Sequence, residues 1–450
     1  MTGYALRRQV RNPTAHLTGQ GVATAPMKSS MRGSIVLLAA VPFMMVLGNS
    51  MLFPVFPRMQ AALGLSGLQT SLVVTSFSVP AGLLIPFAGY LSDRFGRKPI
   101  MAPALIIFGV GALIAGLSVS FLGALAYPGL LAGRIIQGTG AAGMAQLAMA
   151  LTADIFRSGE RAQVLGWLEA ANGLGKVVSP IAGAAVGIVL WLLPFYIFAG
   201  LSIPLGLALW LWVREPRAER SNRGFSAYFG GLKAVFARKG MSLTVLLLSG
   251  AVVMFVLFGT LFYLSEVLEK RYGMAELTSG FILALPVAAL SATSLLAGGY
   301  LRRHPAHAKT VIVAGLAVVG AVMVVNAFFT DRWILFSAIF FMGVGGGFVL
   351  PTLTLLITSS TALKERGMVT SLYGGVRFFG VALGPPTFGW LLHLGNAPLF
   401  WAAAGVIGAT IALNLLMLNL QAMRTGQGQA EGKTDRYVIA FRPPRPRSSP

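Results

Sequence analysis

The chain contains no cysteine, which excludes a disulfide framework and thiol chemistry. Its four histidines lie outside the apolar segments and form no cluster with metal-ligand spacing, so neither a metal nor any other cofactor is expected. Charge is scarce: 11% of the 450 residues are charged and only 13 are acidic, whereas about a quarter of an ordinary soluble domain is charged. No G-x-x-x-x-G-K-[ST] loop is present, which excludes a phosphate-loop ATPase. An N-x-[ST] glycosylation sequon is missing too. The apolar segments hold no histidine, cysteine or paired carboxylates of the kind a membrane-embedded hydrolase or transferase needs.

What the chain has in quantity is hydrophobic residues, at 56%. Several runs exceed the roughly 20 residues that cross a hydrocarbon core, and they lack the alternation of a barrel strand. Twelve helical spans are expected, near 34–56, 68–92, 98–120, 125–152, 161–188, 190–213, 242–265, 277–301, 310–329, 333–359, 367–392 and 398–420. The net charge of +22 is placed by this topology and does not indicate nucleic acid. Of the 35 Lys and Arg, 28 fall on one side, 4 on the other and 3 within spans. The positive-inside rule makes the rich side, with both termini, cytoplasmic.

Residues 1–33 lack the h-region and cleavage site of a secretory signal and are expected to be a disordered cytoplasmic tail, with Met27 and Met31 as alternative starts. Residues 421–450 are expected to form a second disordered, basic tail drawn to anionic lipid. Residues 214–241 carry seven basic residues and read as a cytoplasmic linker between an N-terminal six-helix bundle, 34–213, and a C-terminal one, 242–420. The two halves repeat: Glu160-Arg161 aligns with Glu365-Arg366, Gly175 with Gly380 and Pro180 with Pro385, all at one offset, as do Gly138-x-Gly140 and Gly343-x-Gly345.

The loop after the second span reads Gly89-Tyr90-Leu91-Ser92-Asp93-Arg94-Phe95-Gly96-Arg97-Lys98. It resembles the signature loop of the major facilitator superfamily, G-x-L-x-D-R-x-G-R-K, at every defining position. The resemblance implies an all-α polytopic membrane protein with 12 transmembrane helices in two pseudo-symmetric six-helix bundles, and a substrate site near the midplane between them. It also implies a cytoplasmic gate formed by Gly89, Asp93, Arg94, Gly96, Arg97 and Lys98. The other half has Arg303 where an acid would align, so its latch is expected to be weaker.

Arg134, in the run Arg134-Ile135-Ile136-Gln137-Gly138, resembles the family's fourth-helix arginine, which is linked to proton coupling; holding carbonyls is the structural alternative. Gly175, Pro180 and Gly183 in the fifth span, and Gly380, Gly384 and Pro385 in the eleventh, are similar to the family's G-x-x-x-G-P-x-x-G antiporter motif. Glycine removes bulk and proline removes a helix hydrogen bond, so these are expected to be helix-bend positions. In the family the motif marks exporters.

Glu169, Lys176 and Arg377 are the remaining ionisable residues deep in spans, roughly 12, 22 and 15 Å from the cytoplasmic end at 1.5 Å per residue. Glu169 is read as the proton-coupling acid, and Lys176, Arg377, Asn172 and Asn49 as substrate-cavity residues. Phe53, Pro54, Tyr263 and Glu266 are weaker candidates. The resulting expectation is a proton-coupled exporter of a small organic molecule, monomeric, in a bacterial inner membrane. An importer of a sugar or organic acid is the alternative, and a channel or non-transporting receptor is a further one.

Overall fold

The computed structural model describes residues 29–156, 158–216, 224–329, 331–361 and 363–424. The expected tails lie outside these residues, except that 29–33 already belong to the first helix and 421–424 to the last.

Fifteen α-helices follow one another among the described residues: α1 Ser29–Ser50, α2 Phe56–Leu63, α3 Gly67–Phe95, α4 Lys98–Phe121, α5 Ala126–Ala141, α6 Ala145–Ile155, α7 Ser158–Val189, α8 Leu193–Trp212, α9 Phe225–Lys270, α10 Glu276–Arg303, α11 Ala308–Phe328, α12 Arg332–Ser360, α13 Leu363–Leu392, α14 Asn396–Met417 and α15 Leu420–Arg424. They account for the twelve expected spans, with α1 and α2 joined by a short 3₁₀ turn in the first and α5 and α6 sharing the fourth. Among the described residues, ten helical segments are long and apolar enough to cross a membrane. The other two are the divided fourth span and α13, which carries Arg377 within it.

The fourth span is not one helix. Met144 leaves helical geometry at φ −106°, ψ −91°, and Gly143 and Met144 make short-range turn bonds to Gly140 and Ala141. Glycine is a poor helix former, and the glycines here also press on a neighbour: a Cβ at Gly140 would overlap the backbone of α4 at Phe108, and one at Gly143 would lie 2.7 Å from the Ala104 side chain. The second departure is in the 214–241 segment. Residues from Phe225 onward join the seventh span as one continuous helix of 46 residues. Its start packs on α3, with Phe225 stacked on Phe87 and Tyr228 edge-on to Tyr90.

The repeat seen in the sequence is a repeat of contacts. A Cβ at Gly175 would lie 3.3 Å from the Phe43 carbonyl of α1 and one at its counterpart Gly380 would overlap the Ala251 carbonyl of α9; further along α7, one at Gly183 would overlap the Met51 carbonyl. In the same way Gly138 abuts the Phe77 carbonyl of α3 and Gly343 the Pro286 carbonyl of α10. Without lipid-excluding hydrophobic force between helices, backbone approach of this kind is what holds a membrane bundle together. Gly183→Val is expected to cost about 1–3 kcal/mol of overpacking strain and to lower the monodisperse fraction in detergent. Gly166→Val on the same helix, where a Cβ meets nothing within 4 Å, should not.

The halves meet along two seams, α3 against α13 and α7 against α10. In the first, a Cβ at Gly82 would sit 3.0 Å from the Gly375 carbonyl, one at Gly89 would sit 2.6 Å from Ser371 Oγ, and the Thr75 hydroxyl donates to the Ala382 carbonyl at 2.7 Å.

Candidate functional site

A cavity of about 750 Å³ lies between the halves. Asn49 from α1, Glu169, Asn172 and Lys176 from α7, and Tyr373 and Arg377 from α13 all line it. The helical period explains the α7 set: positions 169, 172 and 176 are three and four residues apart and share a face. Sequence reasoning missed Gln146 from α6, Thr354 from α12 and Arg302 near the end of α10. Gln146 follows the helix break just described, which places it on the cavity wall.

The polar groups in the wall are poorly matched. Lys176 makes no hydrogen bond or ion pair with the described residues. The Arg377 guanidinium lies 5.4 Å over the Tyr373 ring and reaches only the Met254 sulfur, at 3.9 Å, while its Nε is buried without a partner. Asn49, Gln146 and Asn172 each have a buried side-chain oxygen with no partner. Glu169 is the only acidic residue in the lining, against Lys176, Arg302 and Arg377.

Arg134 does not line this cavity. It is fully buried in the first half, donating from Nε to the Val73 carbonyl at 3.1 Å, and from Nη1 to the Gly48 carbonyl at 3.0 Å and to Gln137 Oε1 at 2.7 Å. Its guanidinium also sits 4.3 Å over Phe77. It thus ties α1 and α3 to α5.

At one end of the bundle is the basic loop. Asp93 in the last turn of α3 pairs with Arg97 in the loop before α4, and Arg97 Nε lies 3.5 Å from Asp154 Oδ2. Burial raises the Asp154 carboxyl above its ordinary pKa, with the Arg97 charge opposing the shift. Glu215 accepts from the backbone N–H of Arg97 at 2.6 Å and of Lys98 at 3.2 Å, an acid at the N-terminus of α4, where the helix dipole favours it. Gly96 has φ +110°, and a Cβ there would meet Glu215 at 2.9 Å. Arg94 reaches the Tyr90 hydroxyl at 3.1 Å, while the Lys98 ammonium lies 5.6 Å over Trp210. Gly89 packs on Ser371 of the other half.

At the opposite end the halves are joined by charge. Gln60 of α2 donates to Glu266 of α9, whose other oxygen accepts from Lys270 at 2.6 Å; Lys270 also reaches Gln60 Oε1 at 2.8 Å. Arg58 pairs with Glu276 at the start of α10 and donates to the Gly187 carbonyl at 2.9 Å. Beneath these, Phe53 faces Phe258 and Phe56 faces Phe262 across the interface, at 5.8 and 6.0 Å between ring centroids. Glu266 is 6% exposed. The cavity lining reaches Arg302 and Thr358, near the basic-loop ends of α10 and α12; toward the second cluster it includes Phe258 but none of Arg58, Gln60, Glu266, Lys270 and Glu276.

A twelve-span bundle in two repeated halves, with a largely apolar cavity between them that carries a few charged and amide side chains, has the architecture of a solute carrier. The family model described as Major Facilitator Superfamily matches residues 38–374 and 307–447. The bacillibactin exporter of Bacillus subtilis (strain 168) is 36% identical over 87% of this chain and 97% of its own length. The class B tetracycline resistance protein of Escherichia coli is 25% identical over 89% of this chain and 98% of its own. The crystal structure of a bacterial homolog of the human lysosomal transporter Spinster, inward-facing and unoccupied, shares the fold at a TM-score of 0.66 and 19% identity, over 89% of this chain and 98% of that one. The chain belongs to the Major Facilitator Superfamily and is an integral membrane transporter of its drug and metabolite exporter type.

Proposed function

We propose that the protein exports a small organic molecule in exchange for protons by alternating access, in a bacterial inner membrane, with the basic-loop end facing the cytoplasm. The observation that carries the reading is the asymmetry of closure. The cavity extends to the basic-loop end, whereas the other end is shut by the Gln60–Glu266–Lys270 and Arg58–Glu276 contacts and two aromatic pairs. This is the form that loads from the cytoplasm. The 36% identical relative, named as an exporter of bacillibactin, supports the outward direction.

Glu169 carries the proton in this reading, because it is the only acid in the lining and an arginine does not titrate in a protein. Arg134 holds the helices around it in register. Lys176, Arg377, Asn172 and Asn49 contact the substrate. One chain supplies both walls of the cavity, so a monomer is the transporting unit.

Transport into inverted membrane vesicles tests the reading, with bacillibactin and a mixed drug and metabolite panel as probes. Saturable accumulation that needs an imposed proton gradient and collapses with an uncoupler is expected. Non-saturable flux would indicate a channel, and accumulation confined to right-side-out vesicles would indicate an importer.

The Asp93 loop should set the rate of the cycle. Asp93→Asn is expected to leave abundance in the membrane unchanged while slowing transport about tenfold or more, equivalent to 1.4 kcal/mol or more on the limiting barrier. The reason is its pairing with Arg97, which is itself beside Asp154. Wild-type turnover at equal abundance would remove Asp93 from the gate. Asp331, which caps α12 by accepting from the Trp333 N–H at 2.9 Å, is the control and should be milder when changed to Asn.

A further inference from the structure

We propose that the cavity selects an organic anion, or a zwitterion through its anionic group, which is held jointly by Lys176 of one half and Arg377 of the other. The inference rests on the reading of this cavity as the transport site and adds the chemistry of what it carries.

Three observations support it. First, both cations face the cavity and neither makes an ion pair among the described residues: Lys176 has no hydrogen-bond partner there, and Arg377 has a thioether, an aromatic face and a buried Nε without an acceptor. A charge inside a membrane helix is costly and is tolerated where it meets an opposite charge or lines a polar cavity. Second, the two cations line the same cavity as Glu169. Glu169 forms no ion pair with either, so one acid faces two cations there and a third, Arg302, nearer the basic-loop end. Third, the rest of the wall suits an amphiphilic body: Met45, Met254, Phe258 and Tyr373 are apolar or aromatic, and Asn49, Asn172 and Gln146 offer amides. A cavity for lipophilic cations would be expected to present carboxylates and open aromatic faces, whereas here the guanidinium of Arg377 already occupies the Tyr373 face.

The arginine fork recognises a carboxylate-like group in two-point geometry, and the lysine contributes a point charge from the facing helix. A ligand held by both charges spans the seam between the halves. Its occupancy therefore bears on their closure, which a ligand bound to one half alone would not do.

The test is equilibrium binding to the purified full chain in detergent, which requires neither transport nor a gradient. Fluorescein and rhodamine 6G are the probes, because they share a tricyclic xanthene frame and carry opposite charge at neutral pH. Fluorescein is expected to bind more tightly, and increasingly so as salt is lowered. Lys176→Gln and Arg377→Gln should each weaken it by about tenfold or more while changing rhodamine 6G little. The double variant should fall short of the product of the single losses, as expected for two groups acting on one anion. Lys176→Arg and Arg377→Lys, which keep the charge, should retain the preference, and a Gln variant that is not monodisperse is replaced by the equally neutral Met variant, with the same loss expected. Fluorescein binding no tighter than rhodamine 6G overturns the proposal, as does a preference that survives both neutral substitutions. Failure of vesicle transport with anion binding intact would instead remove the exporter reading and leave the site's selectivity standing.

Discussion

Joining Gln60 to Glu266 is expected to stop transport. With both changed to cysteine, a short bifunctional thiol reagent with a cleavable disulfide arm should hold the outer end shut and reduce flux by more than about tenfold, a barrier increase above 1.4 kcal/mol. Reductant should restore the flux, and each single-cysteine variant should be insensitive to the reagent. The native chain has no cysteine, so only the introduced thiols react. The expectation follows from the contact itself: Gln60 and Glu266 belong to different halves and touch where the cavity is closed. A carrier that must open there cannot cycle when they are tied. Undiminished flux through a fully cross-linked sample would mean that the two halves do not part at this end.

Glu169→Gln should separate binding from energy coupling. Removing the only negative charge in the lining leaves the cavity more positive, so affinity for an organic anion should rise. Gradient-driven accumulation should nevertheless be lost, while downhill exchange persists. Exchange of one anion for one proton moves two charges in the same sense across the membrane, and each is worth about 2.3 kcal/mol per 100 mV. Wild-type accumulation in inverted vesicles should therefore increase when their interior is made positive, even at a fixed pH difference. Equal loss of accumulation and exchange in Glu169→Gln would assign this residue to substrate binding or structure.

Several features could be read from the chain because they depend on local pattern. The spans follow from uninterrupted apolar runs, and the duplication follows from glycines and prolines recurring at a fixed spacing, such as Gly175 with Gly380 and Gly138 with Gly343. Those glycines prove to be backbone contacts. On α7, Glu169 and Lys176 share a face by helical spacing, and Asn172 is marked by the repeat, which aligns it with Arg377. Contacts between distant segments were not. Arg58 with Glu276, Gln60 with Glu266, and Glu215 with the Arg97 amide each join positions more than a hundred residues apart, and no period in the sequence records such a pairing. Glu266 did leave a faint mark as an acid at the end of an apolar run. Two element boundaries were also hidden. Hydropathy changes near residue 242, but the helix does not, because the residues before it are compatible with helix and pack on Phe87 and Tyr90. In the fourth span the apolar run is continuous while the backbone is not, since packing against α4 decides the break at Gly143 and Met144.

The unbroken α9 has a mechanical consequence. At 1.5 Å per residue its 46 residues form a rod about 69 Å long. Tyr228 near one tip is seated on Tyr90, just before Asp93, while Glu266 and Lys270 near the other hold Gln60. The rod is also gripped along its length by α13, at Ala251 against Gly380 and Phe255 against Gly384. One stiff helix of the second half is therefore seated on the first half at both of its ends, so a displacement that unseats one tip is expected to load the contacts at the other rather than be absorbed between them.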